Sequence, residues 1–217
     1  GNTDGIDANP NYFPGHSDRP VEGVKYGDVQ VFIQRLNEQM SSMIPAGWAY
    51  VLPTEAQWEY ACRAGANTAY SWGESIASND ANYNWDGDYN TGSDYQQTRD
   101  VGQYSPNAWG FYDMHGNVRE WVADWDGEYA VGPLTDATGV TSGSNRVIRG
   151  GAWWDAAIYL RSGARYSADL NYVNGGVGFR IAFQDLNNAP SNLVPITVLS
   201  VEENQPVGTV VGEFNSS

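Results

Sequence analysis

An α+β architecture, rich in loops and built on two core helices with short antiparallel strands, is predicted by three features of this sequence. Apolar residues recur at helical spacing in two early segments, one starting at Asp28 and one after Thr54. Regular periodicity then almost vanishes from Gly65 to Gly143, where Trp72, Trp85, Trp109, Trp121 and Trp125 recur among Asn, Asp and Gly. Short alternating or β-branched runs return at RVIRG (146–150) and GVGFRIAF (176–183).

The elements follow in order. From Asp28, Val29, Phe32, Ile33, Leu36 and Met40 fall on one face, with Gln30, Arg35, Asn37 and Glu38 elsewhere, which predicts a core helix. In YVLPTEAQWEYACRAG a short strand precedes Thr54 and Gln57, which form a capping-box pattern, and Gly65 suits the C-terminal stop. Cys62 then lies within that helix as a small apolar group rather than a reactive thiol. The aperiodic middle predicts a body of long loops pinned by aromatic rings. After Phe183 the character changes. QDLNNAPSN has a linker's composition, and the remainder is rich in Val and Thr without tryptophan.

Composition narrows the function. With 26 acidic and 11 basic residues the formal charge is −15, which repels phosphate backbones and anionic membranes and argues against nucleic-acid partners. No run is long and apolar enough for a membrane span, so membrane insertion is not expected. One cysteine excludes internal disulfides and thiolate pairs. The histidines, His16 and His115, are far apart and lack partners at metal-ligand spacing, so zinc or iron ligation is not expected.

Three motifs stand in order: LPTEAQWEYACRAG, then YDMHGNVREW, then RVIRGG followed by GVGFRIA. Together they resemble the formylglycine-generating enzyme family, or sulfatase-modifying factor domain, over roughly Asn9 to Phe183. The resemblance implies a C-type-lectin-like α+β fold. The domain is expected at 1–184 and N-terminally truncated, followed by a linker at 185–192. The tail, 193–217, resembles the first strands of a cadherin-like repeat, whose calcium-binding pattern implies Asp185, Asn187, Asn188 and Glu203.

The middle motif carries candidate chemistry. Asp113 and Glu120 lie seven residues apart around a glycine, a spacing that lets a turn bring two carboxylates and intervening carbonyls onto one hard cation. The resemblance implies structural calcium held by Asp113, Gly116, Val118 and Glu120. The alternative is that Asp113 caps a turn and Glu120 pairs with an arginine such as Arg149. A second calcium site implied by the resemblance matches Asn82, Tyr83 and Asp94, with solvated Asn/Asp turns as its rival.

In the family's oxidases, the segment after the double glycine holds two cysteines that bind copper and engage the substrate. Here Asp155 stands where the first would be, and Ala156 to Leu160 supply no second. A carboxylate cannot replace a soft thiolate, so neither copper nor cysteine oxidation is expected. Arg119 is a further departure, standing where many relatives carry an aromatic residue. The double glycine is expected to turn Trp153 into the core and leave Trp154 and Asp155 nearer the surface.

These readings predict a non-catalytic, calcium-stabilised binding module in a larger secreted or cell-surface bacterial protein. Trp154, Asp155, Tyr159, Tyr166, Asp169 and Tyr172 would form its face for a glycan or a protein. The competing expectation is an enzyme with ligands of another kind, either a formylglycine-type oxidase or an iron-dependent C–S bond-forming enzyme.

Overall fold

The computed structural model describes residues 10–84, 96–129 and 139–187, and the backbone of two short paired strands, β7 (Val194–Pro195) and β8 (Phe214–Asn215). The helix α1 spans Tyr26–Met40 and buries Tyr26, Val29 and Ile33. Phe32, expected in the core, is 46% exposed, and its ring meets Phe179 edge to face with centroids 5.4 Å apart. The Asn37 amide bonds both backbone groups of Tyr50, donating to its carbonyl and accepting from its N–H, both at 2.8 Å. That clamp joins α1 to β1 (Trp48–Val51).

The helix α2 (Glu55–Arg63) starts as its sequence predicts. Thr54 accepts from the Gln57 N–H at 3.2 Å while Gln57 accepts from the Thr54 N–H at 2.8 Å, so two otherwise unpaired donors are satisfied. At its end Ala64 takes the left-handed conformation, with φ 47°, and Gly65 continues it with φ 87°. The buried face carries Glu55, Trp58 and Cys62.

Four strands form the central sheet, in the order β4 (Arg165–Asp169), β3 (Asn145–Arg149), β2 (Arg119–Trp125) and β5 (Val177–Phe179). The β2–β3 and β3–β4 pairs are antiparallel. The β2–β5 pair is parallel, which departs from the all-antiparallel expectation. The run GVGFRIAF divides at Arg180 and Ile181: its second half enters β6 (Ala182–Asp185), which pairs with β1 in a separate two-stranded sheet. Pairing therefore runs to Asp185, and Leu186 donates to the Gly47 carbonyl at 2.7 Å. The expected boundary after residue 184 thus falls inside a strand, and Asp185 belongs to the sheet rather than to a linker.

Trp121, Ile148, Val177 and the buried face of α1 make one core cluster; Trp58, Cys62, Met114, Val122 and Val147 make a second beneath α2. The loops between are held by side-chain bonds to backbone. Asn107 donates to the Ala61 and Cys62 carbonyls and accepts from the Trp109 and Phe111 N–H groups, fastening the aperiodic body to α2.

Candidate functional site

Gly150 and Gly151 both have positive φ, 96° and 79°. A Cβ on Gly151 would lie 2.8 Å from Leu160, so only glycine lets the chain turn here against the following segment. After the turn comes a short 3-10 stretch, Ala157–Leu160. Leu160 itself is fully buried, packed with Tyr70, Ala81 and Tyr83.

Asp155 is buried rather than superficial, 4% exposed, which corrects the expectation that it faces outward. Its carboxylate accepts from Arg119 Nε at 2.8 Å and Nη2 at 2.6 Å, and from the Ala152 N–H at 2.8 Å. Two departures from the family pattern, an arginine and an acid, are thus one ion pair. A buried carboxylate needs such a partner, because desolvation of a lone charge costs more than packing returns. The opposite signs at 119 and 155 were the sequence signal that could have found this pair.

The Arg119 guanidinium lies over the Tyr166 ring, 4.2 Å from its centroid, and 5.9 Å from that of Trp154. Tyr166 meets Tyr159 edge to face at 5.8 Å, and Tyr159 is 45% exposed beside the exposed Ile158. Burial, with the Asp155 charge next in weight, pushes the Tyr166 hydroxyl up to about 12. Trp154 packs over Gly176, where a Cβ would come within 2.1 Å of the indole. Trp153 is half-buried rather than in the core: its indole donates to the Gly175 carbonyl at 3.1 Å and its ring meets Phe13. Of the expected binding face, Trp154, Tyr159 and Tyr166 come together around Arg119. Tyr172 packs against the main core, and the exposed Asp169 caps a turn by accepting from the Asn171 N–H.

The single thiol lies elsewhere. Cys62 is fully buried beneath α2, and burial pushes its pKa up to about 12. Its sulfur lies 3.5 Å from Nε2 of His115, whose own pKa burial lowers to about 4. Both groups are therefore neutral, so they do not form the thiolate–imidazolium pair of a cysteine nucleophile.

The candidate calcium residues divide into two settings. Asn82 is 1% exposed; its Nδ2 donates to the Gln97 carbonyl and Asn117 Oδ1, while its Oδ1 has no hydrogen-bond partner among the described residues. An unpaired buried amide oxygen suits a hard cation, so Asn82 fits; the Tyr83 carbonyl beside it is the ligand the resemblance implies. Asp94 lies outside the described residues. The other set fits poorly. Glu120 accepts from Trp58 Nε1 at 2.6 Å and from Arg180 through Nε at 3.1 Å and Nη2 at 2.9 Å. Asp113 accepts from the Gly102 N–H at 2.7 Å, and burial raises its pKa. Gly116 and Val118 are buried between them. A Cβ on Gly116 would come within 2.4 Å of the Asn82 carbonyl oxygen, so this turn presses against the Asn82 loop. Among the described residues no cluster of three His, Cys, Asp or Glu side chains could hold a metal.

The fold and this site define a formylglycine-generating-enzyme-like α+β domain with a buried Arg119–Asp155 ion pair after its double glycine. The sulfatase-modifying factor enzyme 1-like domain model matches residues 4–185, and the chain belongs to that family. It is similar to the formylglycine-generating enzyme of Mus musculus, at 36% identity over 64% of this chain and 40% of that protein. It is also similar to the formylglycine-generating enzyme of Streptomyces coelicolor, at 35% identity over 77% of this chain and 54% of that protein. The chain thus spans about half the length of these relatives or less. Among solved structures, Treponema denticola variable protein 1 superposes with a TM-score of 0.70 at 28% identity, covering 82% of this chain and 77% of that one.

Proposed function

We propose that this domain is a non-catalytic, calcium-stabilised member of its family. It serves as a binding module of a larger secreted or cell-surface bacterial protein and presents the aromatic face around Arg119 to a glycan or a protein. The Arg119–Asp155 pair carries the reading: where the resemblance places the first copper-binding thiol, a carboxylate is already saturated by a guanidinium and a backbone N–H. The Leu160 side chain, fully buried, offers no ligand nearby. The same ion pair holds Arg119 against Tyr166, so the face is rigid before a ligand arrives, which lowers the entropic cost of binding.

The relatives' names favour a second reading, a protein-modifying oxidase. One assay separates the two: incubation with copper, oxygen, reductant and a sulfatase-type peptide containing the target cysteine, read by mass spectrometry. No aldehyde above a no-protein control is expected. Turnover that survives Cys62→Ser would establish the oxidase instead. On a glycan array, a glycan-binding module should give signal that Tyr159→Ala weakens by about tenfold. An array without signal removes glycans from the reading and leaves a protein ligand.

Calcium belongs to the proposal at Asn82, where Oδ1 and the Tyr83 carbonyl would supply hard oxygen ligands and the ion would tie the 82 loop to the body. A ligand bound only by the folded state at about 100 times its Kd adds ~2.7 kcal/mol, so chelation should lower the melting temperature by roughly 5–10 °C. A melting curve unmoved by chelator under conditions that strip bound metal would remove calcium from the proposal.

A further inference from the structure

Arg180 sits among the groups that the family resemblance assigns to a metal. Its guanidinium grips both oxygens of Glu120 and also donates from Nη2 to the Tyr112 carbonyl at 2.9 Å. Asp113 feels the same positive charge. Trp58 Nε1 supplies Glu120 with a further donor from the opposite helix. The carboxylate therefore meets N–H donors on both oxygens, and the neighbouring carbonyl is spent as well.

Charge counting points the same way. Two carboxylates with one divalent cation are neutral, and so need no arginine. The same two carboxylates with Arg180 already in place carry one negative charge at most, and a divalent ion added beside the guanidinium would leave the partly buried cluster positive. Like charges brought together beside the buried Glu120 carboxylate are unfavourable.

We propose that Arg180 is the resident cation of the Asp113/Glu120 cluster, and that this cluster binds no calcium in the folded protein. Arg180 follows directly on β5, which pairs with β2 through Glu120 itself, Glu120 standing opposite Gly178. An internal cation at the end of that strand closes the parallel β2–β5 seam without any dependence on free metal.

Calorimetric titration with calcium chloride tests this in wild type, Glu120→Gln and Arg180→Met, with melting curves in chelator and in calcium. The calcium isotherm of Glu120→Gln is expected to match that of wild type. Arg180→Met is expected to melt lower in chelator and to gain a calcium-dependent rise in melting temperature beyond any seen in wild type. Adding Glu120→Gln to Arg180→Met should abolish that gain. The proposal is overturned if Glu120→Gln loses a calcium that wild type binds, or if folded Arg180→Met gains no calcium response. Should Arg180→Met fail to fold, the Glu120→Gln isotherm decides alone. A wild type that binds no calcium at all would remove the Asn82 site and leave this inference standing.

Discussion

Arg149→Met is expected to lower stability by about 3–5 kcal/mol, because it leaves two carbonyls and the facing oxygen of Glu59 without their buried donor. The Arg149 side chain is fully buried on β3, with its guanidinium over the Trp58 ring at 5.3 Å. It donates to Glu59, to the Ala164 carbonyl, and to the Ser162 carbonyl at 2.9 Å; Glu55 stands 3.7 Å away. Methionine fills much of the volume and satisfies none of these groups. Glu55 keeps Arg165 at 2.9 Å and Glu59 keeps Arg63 at 2.8 Å, so the larger loss falls on the two carbonyls. Lysine should recover only part, since one ammonium cannot reproduce the planar fork. Urea unfolding measures the effect, and adding Glu59→Gln to Arg149→Met should return little, because Arg63 still holds the Glu59 carboxylate. A loss below about 1 kcal/mol for Arg149→Met would show that the network contributes little.

Much of the frame is legible from local rules, and the cross-links are not. The α2 start needs only Thr54 and Gln57, three residues apart, and both bonds of the capping box form. The α1 face follows from spacing, except at Phe32. Its position on the helix is right, but the partner surface ends at Phe179, and half the ring stays in water. The pairing of Glu120 with Arg149, the natural guess for two charges on adjacent strands, fails for a three-dimensional reason. They are direct partners in the β2–β3 register, yet Trp58 stands at both: its ring lies under Arg149 and its Nε1 bonds Glu120. Each charge therefore turns to a different element, Arg149 to α2 and Glu120 to Arg180. Likewise, nothing in GVGFRIAF marks where one strand ends and another sheet begins. Asp155 reads as a surface acid because its neighbours are alanines and tryptophans; only Arg119, 36 residues upstream, explains its burial.

Acid should destabilise the domain through His115 in a window set by its environment. The ring is 4% exposed; Nδ1 lies 2.7 Å from the Leu160 carbonyl and Nε2 lies 3.2 Å from the Ser71 N–H. Those partners fix the neutral tautomer with the proton on Nδ1, because Nε2 must accept. Protonation would set an N–H against the Ser71 N–H and bury a charge. Burial is the main cause that lowers the folded pKa to about 4 from 6.5, with the Arg63 charge adding to it and the Leu160 bond opposing. Between these values the unfolded chain binds more protons than the folded one, so stability is full above 6.5 and falls as pH drops towards 4. The linked loss is about 3 kcal/mol. Raised carboxyl pKa values at Glu22, Asp113 and Asp124 act in the opposite sense, gaining stability as pH falls. The comparison must therefore be made against His115→Gln, which keeps those carboxyls. Urea unfolding across the window should show wild type losing about 3 kcal/mol more than the variant, although the variant is the less stable protein at neutral pH. Parallel pH profiles would show that His115 is not held neutral. If His115→Gln does not fold, direct titration of the His115 ring by NMR decides the question, with a pKa close to 6.5 as the outcome that defeats the prediction.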